Sequence, residues 1–315
     1  MSVQRPSLAS ARWERWFSPI LVKEMRSAMR GARFFVGITL FLLLLAAISL
    51  VVYLTQASSP FTNPTTMGRT IFGIVTSLES LLLLAIAPSL TAGAIAGERQ
   101  KQTFEMLMAT PLTPGQVLRG KLLAALNYVL LLLVAGIPLN AIVFLFGGVT
   151  PGTLLLWMAY LIILVLLLAT VGLLISTFVQ RSGVATTLSY LINALVFVVG
   201  PLMFFFILFT GLFDSGPSRT AECVVAALGM LHPIGGFIGL NGGFSQLGSV
   251  MPYMSLLFLI YLSLAALLYL ISEARLSLSL GMRWRRRALL LVPLLLMGLA
   301  TIAVVLGPVR TMCNG

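Results

Sequence analysis

From Phe34 the chain runs for about twenty residues without a charged side chain, and similar runs return after short polar intervals nearly to its end. Within them the apolar positions do not alternate with a period of two, which argues against a membrane β-barrel. They are continuous, as in helices that face lipid or neighbouring helices. A bilayer core of ~30 Å takes about 20 residues of helix. On that basis the pattern predicts seven spans, near 34–55, 71–97, 122–147, 153–179, 184–212, 252–272 and 288–307.

The intervals differ in kind. Over residues 1–33, Trp13, Trp16, Phe17, Ile20 and Leu21 recur at helical spacing while Arg12, Arg15, Lys23 and Arg26 fall elsewhere, predicting an amphipathic helix on the membrane surface. This polar stretch is too long for a signal n-region, so the first apolar run is expected to remain as a true span. Residues 213–250 are apolar but broken by eight glycines, and predict short re-entrant helices. Pro88, Pro138 and Pro201 predict kinks within spans.

Composition agrees with the pattern: 9% of the 315 residues are charged and mean hydropathy is +1.06. The net charge of +12 would suit a nucleic-acid binder if the basic residues were clustered on one surface. Instead, with the N-terminus placed in the cytoplasm, seventeen of the 20 Lys and Arg residues fall on that side. The asymmetry orients the chain N-terminus in, C-terminus out, and removes the need for a nucleic acid. "MRWRRR" (282–287) then reads as an anchor on anionic headgroups of membrane lipid.

The interval Gly97–Lys121, "GERQKQTFEMLMATPLTPGQVLRGK", carries six charged side chains between two spans. Phe104, Leu107 and Met108 share one face of a short helix that Pro111 limits. Thr113-Pro114-Gly115-Gln116 is a capping box with proline at N1, opening the helix that becomes the third span. A plain connection needs only ~2–8 residues. This helix–turn–helix suits docking into a groove on another protein, apolar knobs inward and charges at the rim.

This stretch resembles the segment after the second span of ABC-2 type transporter permeases, which carry G-E-R-x-x-x-T-x-E-x-L-x-x-T-P-L followed by a basic G-K. The matching residues are Gly97, Glu98, Arg99, Thr103, Glu105, Leu107, Thr110, Pro111, Leu112, Gly120 and Lys121. "PILVKEMRSAMRGARFFV" (19–36) is similar to that family's helix before the first span, and "LHPIGGFIGLNGGFSQ" (231–246), more weakly, to its re-entrant turn. The resemblance implies an all-α polytopic membrane protein in three parts: an interfacial segment 1–33, a transmembrane domain 34–275, and a basic loop with an additional span and tail, 276–315. It also implies that the permease lacks an ATPase and is not itself an enzyme. Two permease halves, identical or paralogous, would assemble with two separate nucleotide-binding subunits that hold ATP and Mg. Residues 98–111 would be the coupling helix, with Glu98, Arg99, Phe104, Glu105, Leu107 and Met108 touching the ATPase and Lys23, Glu24 and Arg26 close by. Six spans per half are usual in the family, so either 288–307 is an accessory helix or one of the earlier spans is misplaced.

Other features have two readings each. "GQVLRGKL" spells a P-loop except for Leu122, where Ser or Thr must hold Mg, and its context is a helix entering the membrane, so it is rejected as a nucleotide site. Glu79 is either a substrate or proton contact in the translocation path or a carboxyl near the outer headgroups or protonated against a neighbour. Asn127, Asn140 and Asn193 suit bonds between helices better than a path, and Gly93 with Gly97 spells G-x-x-x-G. His232 lacks a second ligand nearby. Cys223 and Cys313 both fall outside, as a disulfide or as two thiols.

The leading function is the membrane half of an ATP-driven exporter in the plasma membrane, its substrate apolar or amphiphilic. A proton-coupled secondary transporter relying on Glu79 is the alternative, but it calls for more intramembrane acids and an internal repeat. A seven-helix receptor would need the opposite orientation, and no intramembrane protease motif occurs.

Overall fold

The computed structural model describes Leu21, Glu24 and residues 31–58, 63–109, 112–195 and 247–279, with side chains of the last segment from 257 to 278. The described residues form an all-α architecture with no strand. In chain order the helices are α1 (Ala32–Ala57), α2 (Pro64–Thr91), α3 (Ala96–Gln100), α4 (Phe104–Met108), α5 (Pro114–Ile142), α6 (Pro151–Phe178), α7 (Ser182–Ala194) and α8 (Leu247–Ser279). Five stretches within them are long and apolar enough to cross a membrane: Phe34–Ala57, Pro64–Thr91, Pro114–Leu145, Pro151–Phe178 and Leu257–Leu278. The protein is a polytopic helical membrane protein.

Each of these helices except α1 is longer than its apolar run or shifted from it, for local reasons. Proline at N1 starts α2 at Pro64 rather than near 71, and the Thr66 and Thr70 hydroxyls bond back to the carbonyls of Asn63 and Thr66 through its polar first turns. The expected capping box is present: Thr113 Oγ1 accepts from the Gln116 amide at 3.3 Å and Gln116 Oε1 from the Thr113 amide at 2.8 Å. It starts α5 well before residue 122. At the other end of the chain α8 continues past 272 to Ser279 and so includes Glu273. Of the expected span 184–212, residues 182–194 are helical as α7; its remainder, with Pro201, lies outside the described residues. The same holds for the interfacial residues Trp13, Trp16 and Phe17, for the segment 213–246 with Cys223 and His232, and for residues 280–315 with the basic cluster, the expected span 288–307 and Cys313.

Helix α6 is the centre of the bundle. Half of its most apolar stretch is buried against neighbours, compared with 11% for α1, which instead presents Phe35, Leu40, Leu43, Leu50 and Leu54 outward as a lipid-facing surface. The core joins Phe41 and Leu45 of α1, Phe72 and Leu83 of α2, Leu132 and Leu133 of α5, Trp157, Tyr160 and Leu161 of α6, and Leu257 and Tyr261 of α8. Because lipid is as apolar as leucine, close packing rather than escape from water must hold such helices together. Small residues permit it: a Cβ at Gly172 of α6 would collide with the Thr91 hydroxyl and the Ala92 amide, and one at Gly68 with the Gly147 carbonyl. Gly97, by contrast, faces open space, and a Cβ on Gly93 would make only an ordinary contact, so the G-x-x-x-G pair does not serve close packing here.

Candidate functional site: the loop between α2 and α5

The charged interval lies at one end of the bundle, where α2 and α6 end and α5 and α7 begin. Helix α2 stops at Thr91, and the chain turns through Ala92–Ile95 into α3. That break exposes backbone donors in a buried place. Ser176 of α6, itself fully buried, accepts from the amides of Ile95 and Ala96 at 2.7 and 2.9 Å. A second break separates α3 from α4 at Gln102, whose φ of +57° is a left-handed conformation rare outside glycine. In place of the expected helix over 98–111 there are two short helices, Ala96–Gln100 and Phe104–Met108; Thr110 and Pro111 lie outside the described residues.

Four side chains fix this elbow to the bundle. Glu98 Oε2 accepts from the Thr103 hydroxyl at 2.5 Å, and Glu98 Oε1 accepts from Lys121 Nζ at 3.0 Å. Lys121 also donates to Glu24 Oε1 at 3.0 Å, so one ammonium joins the segment before α1, the loop and the start of α5. The carboxylates are about a quarter to a third exposed, which limits each ion pair to about 1 kcal/mol. Arg99 donates from Nη1 to the Thr177 carbonyl at 2.9 Å and its guanidinium lies 5.0 Å from the Phe104 ring centroid. Burial, and then the charge of Arg275, lower its pKa from the ordinary arginine value. Gln100 Oε1 accepts from both the amide and the hydroxyl of Ser182, capping the first turn of α7. Beneath Lys121 is a cavity of about 320 Å³, with Phe34, Leu90, Ala94 and Tyr128 among its walls.

The expected knobs point differently from the sequence reading. Phe104, Leu107 and Met108 are half-buried against the chain's own cluster of Ile95, Val117, Leu118, Leu173 and Leu276. The outer face of α4 is formed by Glu105 and Met106, the latter 73% exposed. Among residues expected near this site, Glu24 and Glu98 are brought together on Lys121, Arg99 turns to Thr177 and Phe104, Glu105 stands outward, and Lys23 and Arg26 lie outside the described residues. Ser176, Gln100 and Met106 were not anticipated. Of these only the exposed methionine between Glu105 and Leu107 left a signal, as the one apolar position off the inward face.

Glu79 is remote from the loop, about the middle of α2, and is buried. Asn140 of α5 donates from Nδ2 to Glu79 Oε2 and to the Gly136 carbonyl, both at 3.3 Å, and the buried Trp157 of α6 lies beside the carboxyl. Gly136 leaves the room: a Cβ there would lie 3.1 Å from Glu79 Oε1. The group sits among helices of this one chain, about midway along α2. It is also not the sole buried acid in a span. Glu273 of α8, 3% exposed, lies against the first turn of α5, where a Cβ on Gly115 would come within 2.5 Å of its Oε1. The sequence reading ended the span at 272 and missed it. A carboxylate at a helix N-terminus in such a partly buried setting is favourable by up to ~2 kcal/mol.

The described residues thus form a bundle of apolar helices interrupted at one end by a braced polar elbow. A family model described as ABC-2 family transporter protein matches residues 18–213, more than half of the chain, and the protein belongs to that family. It is thus a multi-pass permease component of an ABC transporter, a membrane part distinct from the ATPase, with which such permeases normally pair. No curated protein matches the sequence.

Proposed function

We propose that the chain is the permease half of an exporter in the plasma membrane, and that a separate ATPase subunit grips the loop from α3 to α4 on the cytoplasmic side. The ATPase holds ATP and Mg; a second permease, identical or paralogous, completes the path; the N-terminus is cytoplasmic and the C-terminus outside. The observation that carries this reading is the contrast within α4. Its inner face is packed on Val117, Leu118 and Leu276, while Met106 projects from its outer face beside Glu105. A push on the outer face reaches α5 directly through the inner one. The braces at Ser176, Thr177 and Ser182 join the same loop to α6 and α7, so it cannot yield without moving the bundle. An ABC cycle needs such a two-state linkage between nucleotide and path.

The contact therefore assigns differently within the expected set. Met106 and Glu105 would touch the ATPase, whereas Phe104, Leu107 and Met108 would transmit from behind. Gentle purification of the tagged chain from its native membranes should bring an ATPase with a complete Walker A motif. Met106→Asp with Glu105→Lys should release that partner without lowering the amount of folded permease. If the double variant retains the partner fully, the loop is not the contact. The placement of Glu79 between three helices of one chain supports a structural clasp rather than the alternative of a proton relay.

A further inference from the structure

We infer that Glu273 is a positioning residue that ties α8 to the first turn of α5, so that movement of the coupling loop is delivered to the last described span. The inference rests on the coupling role proposed for the loop and extends it to a residue outside the segment that the family model matches.

Three side chains on one face of α8 meet the start of α5. Tyr269 donates its hydroxyl to the Gly115 carbonyl at 2.9 Å. One turn on, the Glu273 carboxylate lies over Gly115 itself, a contact that only the missing Cβ permits. Almost one turn further, Leu276, fully buried, enters the cluster that holds Phe104, Leu107, Met108 and Leu112 of the loop. The same face of α8 thus reads both the backbone at the beginning of α5 and the back of the coupling loop.

The electrostatics make the joint directional. Pro114 has no amide hydrogen and Thr113 accepts from Gln116, so what favours a carboxylate at the first turn of α5 is the positive end of the helix dipole. On its own helix Glu273 lies within two turns of the C-terminal, negative end, where a carboxylate is not favoured. At 3% exposure it cannot exchange α5 for water at small cost. If α5 tilts or turns at its start, the least costly course is for α8 to follow. Of the described cations nearby, Arg275 on α8 is exposed and lies over the Phe178 ring at 5.1 Å, and Arg119 donates to the Gly115 carbonyl.

The test uses the full permease with its co-purified ATPase in lipid nanodiscs, with Cys223 and Cys313 replaced by serine. A single cysteine is placed either at Leu278, exposed on α8, or at Met106 on the loop, and alkylation by a water-soluble maleimide is timed with and without ATP and vanadate. In the parent, nucleotide changes the rate at Leu278, and the ATPase protects Met106. With Glu273→Ala the two rates at Leu278 should become equal, a ratio of about 1, while protection at Met106 persists. Glu273→Gln keeps an acceptor oxygen and should keep part of the response. Gly115→Ala leaves the carboxylate in the chain but displaces it, and should reproduce the alanine result even if Glu273→Ala does not fold. A full Leu278 response in either Glu273→Ala or Gly115→Ala overturns the inference, as does joint loss at both positions. Absence of Met106 protection in the parent would instead overturn the proposed function.

Discussion

Asn140 joins α5 to α2 by donating to Glu79 at 3.3 Å, across helices that otherwise meet through apolar side chains and glycine. In lipid such a bond is worth about 0.6 kcal/mol and up to about 1.7. A double-mutant cycle of Glu79→Leu and Asn140→Leu, read as thermal inactivation in detergent, should show coupling of that order. Glu79→Gln keeps an acceptor and should leave both stability and transport near the parent. Loss of transport in a well-folded Glu79→Gln would instead mark the carboxyl as a proton carrier.

Ser176→Ala removes the acceptor for two buried amides at once. Each orphaned donor costs about 1–3 kcal/mol, so the change should be among the most damaging single substitutions of its size in this bundle. Its signature is local: faster amide exchange at Ile95 and Ala96, and protease cuts within the loop before global unfolding. Unchanged exchange at those two amides would show that another group takes over.

Lys121→Met leaves Glu24 and Glu98 facing the same space without their shared cation. Adding Glu24→Gln should restore part of the loss, because it removes the repulsion as well as the empty pairing. Each ion pair is worth about 1 kcal/mol and is screened by salt. The difference between Lys121→Met and parent in melting temperature should therefore shrink as sodium chloride is raised. A difference indifferent to salt would assign the effect to packing of the lysine stem.

Thr113→Ala deletes one half of the capping box. The expected cost is about 1 kcal/mol, confined to the first turn of α5. Hydrogen exchange at Gln116 should quicken while the middle of α5 is unaffected, and Thr113→Ser should behave as the parent.

Much of the membrane architecture was legible because it depends on continuous apolarity, which the chain states plainly. The capping box was legible too, since Thr113, Pro114 and Gln116 act on one another within a single turn. Boundaries were less so. Only Met67 is an apolar signal within the polar stretch Pro64–Arg69, and the turn after Thr91 lies inside an apolar run because its free amides are met by Ser176, 80 positions away. The direction of Phe104, Leu107 and Met108 could not be read either. Sequence spacing places the three on one face but does not say whether that face turns toward a partner or toward Val117 and Leu118. Glu273 was missed for a related reason: it looks like the polar end of a span until the missing side chain at Gly115 shows what it packs on.

The hydroxyl at Ser176 has one more consequence. The bend between α2 and α3 is held from α6, about 80 positions further along the chain, and α6 is also the member packed most tightly into the bundle. The arrangement is that of a bell-crank: one arm is α2, the other is the elbow, and the pivot is bolted to the frame. Under the proposed coupling, force applied at Met106 would be turned through the corner rather than absorbed there, and the angle of that corner would set how far α2 swings for a given stroke at the surface.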